Sequence, residues 1–354
     1  MSSLPSVVRT SAALIGPEDD AEAARRFASR ARADNTLRGY RSDWADFAAW
    51  CNDRGAIALP ATPATVALYV ASRATAGPDG APALKVSTLE RRLAAVSQAH
   101  KLAGHPSPAS RQAEPLHSVW RGLVRERGTA PGKVAPALTP DVVAMVEAIV
   151  TADVDDSPAG VADALRGKRD RALILLGFAA ALRRSELAAV QTAHVQVSAD
   201  GVRLVLPRSK TDQEGAGHVV GVAYGARAAT CPVRALQSWM LAASRAPGAA
   251  GQSPSPLSGP VFRAVGRTGT LGSAALSDKT VARVVKARAA AAGLDPDLYS
   301  GHSLRAGFAT QAARNGKADR SIMRQTRHKS LAVLNEYVRE GRLFDDNASD
   351  GLGL

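Results

Sequence analysis

The sequence predicts a mainly α-helical protein with two domains. The N-terminal domain is all-helical, and the C-terminal domain is mixed α/β, mostly helical with a small antiparallel sheet. Three observations predict this fold class: apolar side chains recur at helical spacing, only VRLVLP and HVVGVAY look like strands, and a Pro/Gly-rich segment separates the two halves. At 354 residues, the chain is long enough for two domains.

The domain boundaries follow from changes in composition. We expect residues 1–16 to be disordered, residues 17–127 to form the first domain, residues 128–138 to be a linker, and residues 139–354 to form the second domain with a C-terminal tail. The linker lies within GTAPGKVAPALTP, where Pro and Gly interrupt helical periodicity.

Four or five helices are predicted in the first domain. A charged, Ala-rich helix covers residues 18–33, and NTLRGYRSDWADFAAWC forms the next, with Asn35 as its N-cap. Thr62 precedes Pro63 at the start of another helix, and Ser87 with Glu90 predicts a capping box on the fourth. The apolar stripe of the last helix comprises Leu116, Val119, Trp120, Leu123 and Val124.

The second domain has helix signals of the same kind. Thr139 and Pro140 open its first helix, and DRALILLGFAAAL forms a buried helix that runs into Arg183. Pro232 starts another helix, and Ser277 caps DKTVARVVKARAAAAG. The segment PGAAGQSPSPLSG between them is a predicted flexible loop.

Charge restricts the class of partner. The net charge is +13 and the pI is near 10.3, which predicts nucleic acid or an anionic membrane surface. No apolar run approaches the roughly 20 residues of a membrane span, and MSSLPSVVRTSAALIG lacks a signal-peptide core. We therefore expect a cytoplasmic, nucleoid-associated protein that binds DNA and no membrane.

Composition also argues against bound cofactors. The two cysteines, Cys51 and Cys231, each fall in an apolar helical pattern typical of buried free thiols. No Cys/His cluster has zinc spacing, and no Gly-rich phosphate loop occurs. The sequence therefore predicts neither a metal site nor nucleotide hydrolysis, and no cofactor.

The stretch GHSLRAGFATQAARNGKADRSIMRQTRHKSLAVLNEYVR, residues 301–339, concentrates the chemistry. With Ser303 as an N-cap, His302 and Arg305 project together at a helix N-terminus, where anions bind favourably. Ser330 then caps a helix that carries Tyr337. This arrangement predicts a site for an anionic group.

Further basic residues complete a recognisable order. Arg183 lies in ALRRSEL, Lys210 in RSKT between the two strand-like runs, and His328 nine residues before Tyr337. The order Arg, Lys, His-x-x-Arg, His, Tyr resembles the tyrosine recombinase (phage integrase) family, as do the phrases ALRRSEL, HSLRAGFAT and RHKSLAVLNEYVR. The motif GHS-x-R-x-G and the overall length are similar to the Cre branch. The resemblance is strong in the second half of the chain, which carries the motifs. In the first half it rests only on the pattern of predicted helices.

Two positions depart from the resembled pattern. His328 stands where the Cre branch has Trp, although His is usual in the family. Ala306 follows Arg305 where many members have a second His. Neither departure removes a catalytic role, but the first weakens the assignment to the Cre branch.

The resemblance and phosphoryl-transfer chemistry together assign roles. Two planar guanidiniums suit non-bridging phosphate oxygens, and a phosphodiester also needs an in-line nucleophile and a leaving-group acid. The roles are phosphate binding by Arg183 and Arg305, hydrogen-bond donation by His328, nucleophilic attack by Tyr337 to form a 3′-phosphotyrosine, protonation of the 5′-oxygen by Lys210, and proton transfer from Tyr337 by His302.

Two of the predicted roles leave alternatives open: that of Glu186 and that of the acid lysine. Glu186, three residues after Arg183, is expected to pair with a catalytic arginine, or else to form an ordinary surface pair. Lys168 and Lys279 are alternatives to Lys210, whose RSKT context favours it.

DNA contacts are predicted on basic faces off the apolar helix stripes. The resemblance implies that N-terminal helices lie across the major groove, whereas an ordinary solvated basic face is the alternative for each residue. The predicted DNA-binding residues are Arg38, Arg41, Arg91, Arg92, Lys101, Lys279 and Arg283.

The resemblance implies a site-specific recombinase that exchanges strands through a Holliday junction without ATP or metal. Its expected partner is double-stranded DNA with inverted-repeat sites, bound as a homotetramer on two sites by a protein that is monomeric in free solution. A type IB topoisomerase or telomere resolvase with the same chemistry, and a catalytically silent DNA-binding protein of the same fold, are the alternatives.

Overall fold

A computed structural model describes residues 22, 34–76, 82–129, 134–149, 157–207, 217–247, 257–328, 330–343 and 349. The chain divides into two compact units, Met1–Gly132 and Lys133–Leu354. Several predictions fall outside the described residues: the 1–16 segment, all but one residue of the 18–33 helix, Lys210, most of the loop after Pro247, and most of the tail after Leu343.

The described part of the first unit is helical. Its helices are α1 (Asp34–Asn52), α2 (Pro63–Ala74), α3 (Val86–Leu102) and α4 (Leu116–Arg127). Phe47, Tyr69 and Leu89 are fully buried where these helices meet, and Phe47 and Tyr69 pack edge to face with ring centroids 5.0 Å apart. The apolar stripes predicted from the sequence thus form one core.

The helix starts in this unit differ from the predicted caps in two of three cases. Thr62 caps α2 as predicted, since its side chain accepts a hydrogen bond from the backbone N–H of Thr65 at 3.1 Å. Asn35 is wrong as a cap because α1 already includes Asp34. The Ser87–Glu90 capping box is also wrong, because buried Val86 is already helical and no side chain caps α3.

The second unit is mostly helical with two small sheets. Its helices are α5 (Thr139–Glu147), α6 (Pro158–Ala179), α7 (Arg184–Ala188), α8 (Pro232–Ser244), α9 (Asp278–Ala291), α10 (Gly301–Arg314), α11 (Asp319–Thr326) and α12 (Leu331–Gly341), with 3₁₀ turns at Thr192–His194 and Pro296–Leu298. Across the described residues, no helix is both long and apolar enough to cross a membrane.

The strands are antiparallel, as predicted. Strands β1 (Val195–Ser198), β2 (Gly201–Leu206) and β3 (His218–Ala223) form one sheet in that order, with Val202 opposite Val222. Strands β4 (Arg263–Val265) and β5 (Leu271–Ala275) form a second sheet. The sequence predicted β2 and β3, whereas β1, β4 and β5 are too short or too poor in β-branched residues to give a signal.

Close backbone approaches position the elements that carry the predicted site. Gly307 of α10 allows residue 137 to cross the helix, because a Cβ there would lie 1.8 Å from the Ala137 carbonyl oxygen. Gly341 lets α12 approach α10, because its Cβ would lie 2.7 Å from the Thr310 carbonyl oxygen. Ala309, Ala313, Ile322, Leu334 and Val338 form a small separate core that joins α10, α11 and α12.

Candidate active site

The N-terminus of α10 presents His302 and Arg305. Ser300 is the N-cap: its side chain accepts a hydrogen bond from the His302 backbone N–H at 3.2 Å. Ser303, the predicted cap, lies inside the first turn, where its hydroxyl oxygen accepts from the Ser300 backbone N–H at 2.9 Å. The prediction was therefore three residues too late, but both serines fix this helix start, as in a capping box.

His302 and His328 both contact Tyr337. His302 Nε2 lies 3.0 Å from the Tyr337 hydroxyl oxygen, a hydrogen-bonding distance. The His328 ring stacks on the Tyr337 ring with centroids 5.8 Å apart and planes 3° apart. Thr326 Oγ1 lies 3.0 Å from His328 Nδ1 and so orients that imidazole. The phenol is held between two imidazoles that lie 26 positions apart in the sequence.

Arg305 is buried but not fully bonded. Its residue exposure is 3%, and its Nη1 donates to the Ala181 carbonyl oxygen at 2.7 Å. Its Nη2 is also buried and has no hydrogen-bond partner among the described residues. A buried guanidinium nitrogen without a partner is costly, so this donor is available to an anion that enters the site.

Glu186 pairs with two arginines at once. Its Oε1 accepts from Arg183 Nη1 at 2.7 Å, as the three-residue spacing predicts, and its Oε2 accepts from Arg327 Nη2 at 2.6 Å. The Arg183 backbone N–H also donates to Glu186 Oε2 at 2.8 Å. The carboxylate therefore fixes Arg183 at the start of α7 and connects it to the segment that carries His328.

Sequence reasoning missed Arg327 and the turn at Ala181. Arg327 is only 7% exposed, and both residues have positive φ angles, 59° at Arg327 and 47° at Ala181. The sequence signal for Arg327 was its place beside His328, but an arginine in a polar stretch is usually exposed. Nothing local marks Ala181, because glycine is the residue expected at positive φ.

Burial and the neighbouring cations lower the pKa values of both imidazoles. Burial, together with Arg305 and Arg183, lowers the pKa of His328 to about 4. Burial lowers the pKa of His302 as well, and Arg305, Arg183 and Arg184 contribute to that decrease. Burial, with Arg183 and Arg327 nearby, lowers the pKa of Arg305 to about 9, which still leaves the guanidinium charged at neutral pH. A neutral His302 can accept a proton from Tyr337.

These lowered histidine pKa values predict acid sensitivity of the free protein. A histidine whose folded-state pKa is depressed stabilises the fold above its unfolded pKa of about 6.5, and that stability is lost as the pH falls towards 4. His328→Gln removes one such group, so its melting temperature should fall less between pH 7 and pH 5 than that of the wild type. The difference should be about 2–4 °C, from roughly 1 kcal/mol after allowance for partial exposure.

Thermal melts at both pH values test this expectation. Gln112→Ala, at an exposed position in the first unit that carries no titratable group, is the control and should keep the wild-type pH dependence. Equal decreases in the wild type and His328→Gln would contradict the electrostatic account of the site.

Of the three candidate lysines, one lies outside the described residues and the other two are exposed. Lys210 is in the undescribed connection between β2 and β3. Lys168 lines a shallow groove of about 280 Å³ beside Ala242 and Pro247. Lys279 is exposed in the first turn of α9.

The basic residues of the first unit differ in their partners. Arg91 Nε donates to Asp43 at 2.8 Å, although 56% of its side chain is exposed. Arg92 pairs with Asp46 and donates to the Tyr69 hydroxyl at 2.7 Å, with only 15% of its side chain exposed. In contrast, Arg38, Arg41 and Lys101 are exposed.

Comparisons with known proteins agree with this fold and identify the family. Residues 159–342 match the phage integrase family. Over 326 residues, the chain is 37% identical to an integrase/recombinase XerD homolog of Selenomonas ruminantium, a match that covers 92% of this chain and 87% of the relative. The chain belongs to the phage integrase family of tyrosine recombinases. It is accordingly an enzyme that transfers DNA strands in site-specific recombination.

Solved structures share the architecture. The Tn1549 transposon integrase in complex with transposon right end DNA is similar with a TM-score of 0.56 and 16% identity, over 89% of this chain and 92% of that one. A lambda integrase dimer bound to a core site is similar with a TM-score of 0.53 and 16% identity, over 91% of this chain and 94% of that one. At this identity the likeness establishes the fold, and the Cre-branch assignment stays a prediction.

Proposed function

We propose that this protein recombines DNA at specific sites through a 3′-phosphotyrosine on Tyr337 and a Holliday junction. The observation that carries the proposal is the 3.0 Å contact between His302 Nε2 and the Tyr337 hydroxyl, beside the buried Arg305. A phenol next to a neutral imidazole and several guanidiniums is suited to attack on a phosphodiester, because base and charge stabilisation are both in place.

In the proposed cleavage, the Tyr337 oxygen attacks the scissile phosphorus while neutral His302 takes the phenolic proton. Arg183 and Arg305 bind the non-bridging oxygens, and His328 donates a further hydrogen bond. The bond from phosphorus to the 5′-oxygen breaks, and a lysine protonates that oxygen. A 5′-hydroxyl of the partner strand reverses these steps. The phosphotyrosine conserves the bond energy, so rejoining needs no ATP.

Lys210 is our proposed acid for the leaving 5′-oxygen. Support comes from Gln325 of α11, whose Nε2 donates to the Gly221 carbonyl oxygen of β3 at 3.0 Å and to the Ala179 carbonyl oxygen at 2.9 Å. The base of the β2–β3 hairpin is thereby attached beside the turn that leads to Arg183. Lys210 follows the last residue of β2 by four positions in the sequence.

DNA contacts are proposed on exposed basic side chains of both units. In the first unit these are Arg38, Arg41 and Lys101, with Arg91 reaching DNA from its pair with Asp43. Because Arg92 is mostly buried by Asp46 and Tyr69, we assign it to holding α1, α2 and α3 together rather than to phosphate binding. In the second unit, Lys279 and Arg283 occupy the exposed face of α9.

Assembly is proposed to occur on DNA. Two recombining sites offer four strands to exchange, so four protomers would meet on two inverted-repeat sites, while the free protein is monomeric. Beyond α12, the apolar residue Leu343 is 60% exposed, and we propose that this segment contacts another protomer. The DNA-bound forms of the Tn1549 and lambda integrases support DNA as the partner and a nucleoid location.

A plasmid assay tests the proposed function. The protected DNA sequence, found by footprinting, is placed twice on one supercoiled plasmid in direct repeat. We expect deletion of the intervening segment and accumulation of four-way junctions, with no reaction when one copy is scrambled. Relaxation that is independent of both copies would instead favour a type IB topoisomerase activity, and binding without any cleavage would favour a silent DNA-binding protein.

A further inference from the structure

Arg327 occupies a backbone position that disfavours its side chain. It follows the last residue of α11 with φ 59° and ψ 41°, a left-handed conformation that costs an L-residue roughly 1–2 kcal/mol and that glycine adopts freely. The position is also 93% shielded from solvent, where an unpaired arginine would be costly. A long cation at such a place is therefore stabilised by specific contacts.

Those contacts lead to both catalytic arginines. Arg327 Nη2 donates to Glu186 Oε2 at 2.6 Å, and Glu186 Oε1 accepts from Arg183 Nη1 at 2.7 Å. The same Nη2 lies 3.3 Å from the Ala181 carbonyl oxygen, which also accepts from Arg305 Nη1 at 2.7 Å. The Arg327 guanidinium thus shares the Glu186 carboxylate with Arg183 and the Ala181 carbonyl oxygen with Arg305.

Two further contacts fix the segment that precedes His328. Arg327 Nη1 donates to the carbonyl oxygens of Gln325 at 2.9 Å and Ala180 at 3.4 Å. The first closes the end of α11, and the second attaches that end to the turn before Arg183. Because His328 is the next residue along the chain, its imidazole is positioned by the same guanidinium.

The net charge of the three arginines and Glu186 also suits the transition state of cleavage. Arg183, Arg305 and Arg327 carry three positive charges against the single carboxylate of Glu186, which leaves a net charge of about +2 in a buried site. A pentacoordinate phosphorane carries two negative charges, so this surplus matches the transition state. Without Arg327, the carboxylate would interact with Arg183 alone and would compete directly with the phosphate for that guanidinium.

We infer that Arg327 is a positioning residue for strand cleavage, which acts by sharing Glu186 with Arg183 and the Ala181 carbonyl with Arg305. It contacts no DNA itself. The inference rests on the proposed function, because it assigns to Arg327 the alignment of the groups that bind the scissile phosphate. A positioning role differs from a role in fold stability, because the loss of Arg327 should slow the cleavage of DNA that is already bound.

The test compares three variants in single-turnover cleavage of a nicked suicide substrate. Arg327→Gly removes the guanidinium, and glycine adopts the left-handed backbone conformation freely. The variant therefore tests the loss of the side-chain contacts without adding backbone strain. Arg327→Lys keeps one positive charge but lacks the planar group that reaches several acceptors. Arg320→Ala removes an exposed arginine from the first turn of α11, the helix that ends just before Arg327, and is the matched control. Binding affinity and melting temperature are measured in parallel.

We expect Arg327→Gly to slow adduct formation at saturating DNA at least 100-fold, with a DNA dissociation constant within about threefold of the wild type. Arg327→Lys should recover part of the loss and remain about tenfold slower than the wild type. Arg320→Ala should cleave at the wild-type rate.

Either of two cleavage rates would overturn the inference. One is a wild-type cleavage rate in folded Arg327→Gly, and the other is a wild-type rate in Arg327→Lys, which also decides the matter if Arg327→Gly does not fold. A loss confined to DNA affinity, with unchanged cleavage at saturation, would likewise reject the positioning role. Absence of any adduct in the wild type would instead contradict the proposed function.

Discussion

The Tyr337→Phe variant will bind its DNA site with near wild-type affinity and will form no covalent adduct. The substitution removes only the hydroxyl oxygen that lies 3.0 Å from His302 Nε2 and keeps the ring that stacks on His328. Because the nucleophilic atom itself is lost, cleavage and strand exchange should become undetectable rather than slow. Gel-shift titration measures binding, and denaturing gels of a suicide-substrate reaction measure the adduct.

Tyr224→Phe provides the matched control. It removes a phenolic hydroxyl from the same unit, where Tyr224 donates to the Ser198 carbonyl oxygen at 3.4 Å. This variant should form adduct at the wild-type rate. An adduct that persists in Tyr337→Phe would mean that another residue is the nucleophile.

Arg183→Ala should slow cleavage of bound DNA about 100- to 1,000-fold, because one donor to a transition-state oxyanion contributes roughly 3–4 kcal/mol. The variant should remain folded, since Glu186 keeps its ion pair with Arg327. Arg305→Ala should cause a loss of similar size, because it removes the buried donor that lacks a protein partner among the described residues. Single-turnover rates at saturating DNA measure both effects.

Arg184→Ala is the control for the Arg183→Ala prediction. Arg184 pairs with Asp278 at 3.1 Å, and 52% of its side chain is exposed. Arg184→Ala should therefore stay within about threefold of the wild-type rate. Equal losses in Arg183→Ala and Arg184→Ala would show that general positive charge, rather than the geometry around Glu186, controls cleavage.

The sequence predicted the parts of the fold that depend on local patterns. Helical periodicity identified the described helices of the first unit, and the β-branched runs identified β2 and β3. The motif order brought His302, Arg305, His328 and Tyr337 to one place, as the structure does. Motif spacing succeeds for His302 and Arg305 because both lie near the start of α10, which serine signals in the sequence.

Features that depend on tertiary packing were not predictable. Ser300 and Ser303 are both acceptable N-caps, and α10 begins at Gly301, where a Cβ would lie 2.9 Å from the Arg184 Cβ. The pairing of Arg91 with Asp43 joins residues 48 positions apart, beyond any local pattern. Arg327 belongs to the same class, because only the assembled site shows that its guanidinium is buried.

Mass spectrometry of the trapped covalent complex tests the central claim most directly. The wild-type protein is reacted with a suicide substrate and digested with trypsin and nuclease, and the peptide that retains nucleotide is sequenced. Our account predicts a 3′-linked nucleotide phosphate on Tyr337 and a free 5′-hydroxyl on the released strand. Attachment to any other residue, or a 5′-linked phosphate on Tyr337, would contradict it.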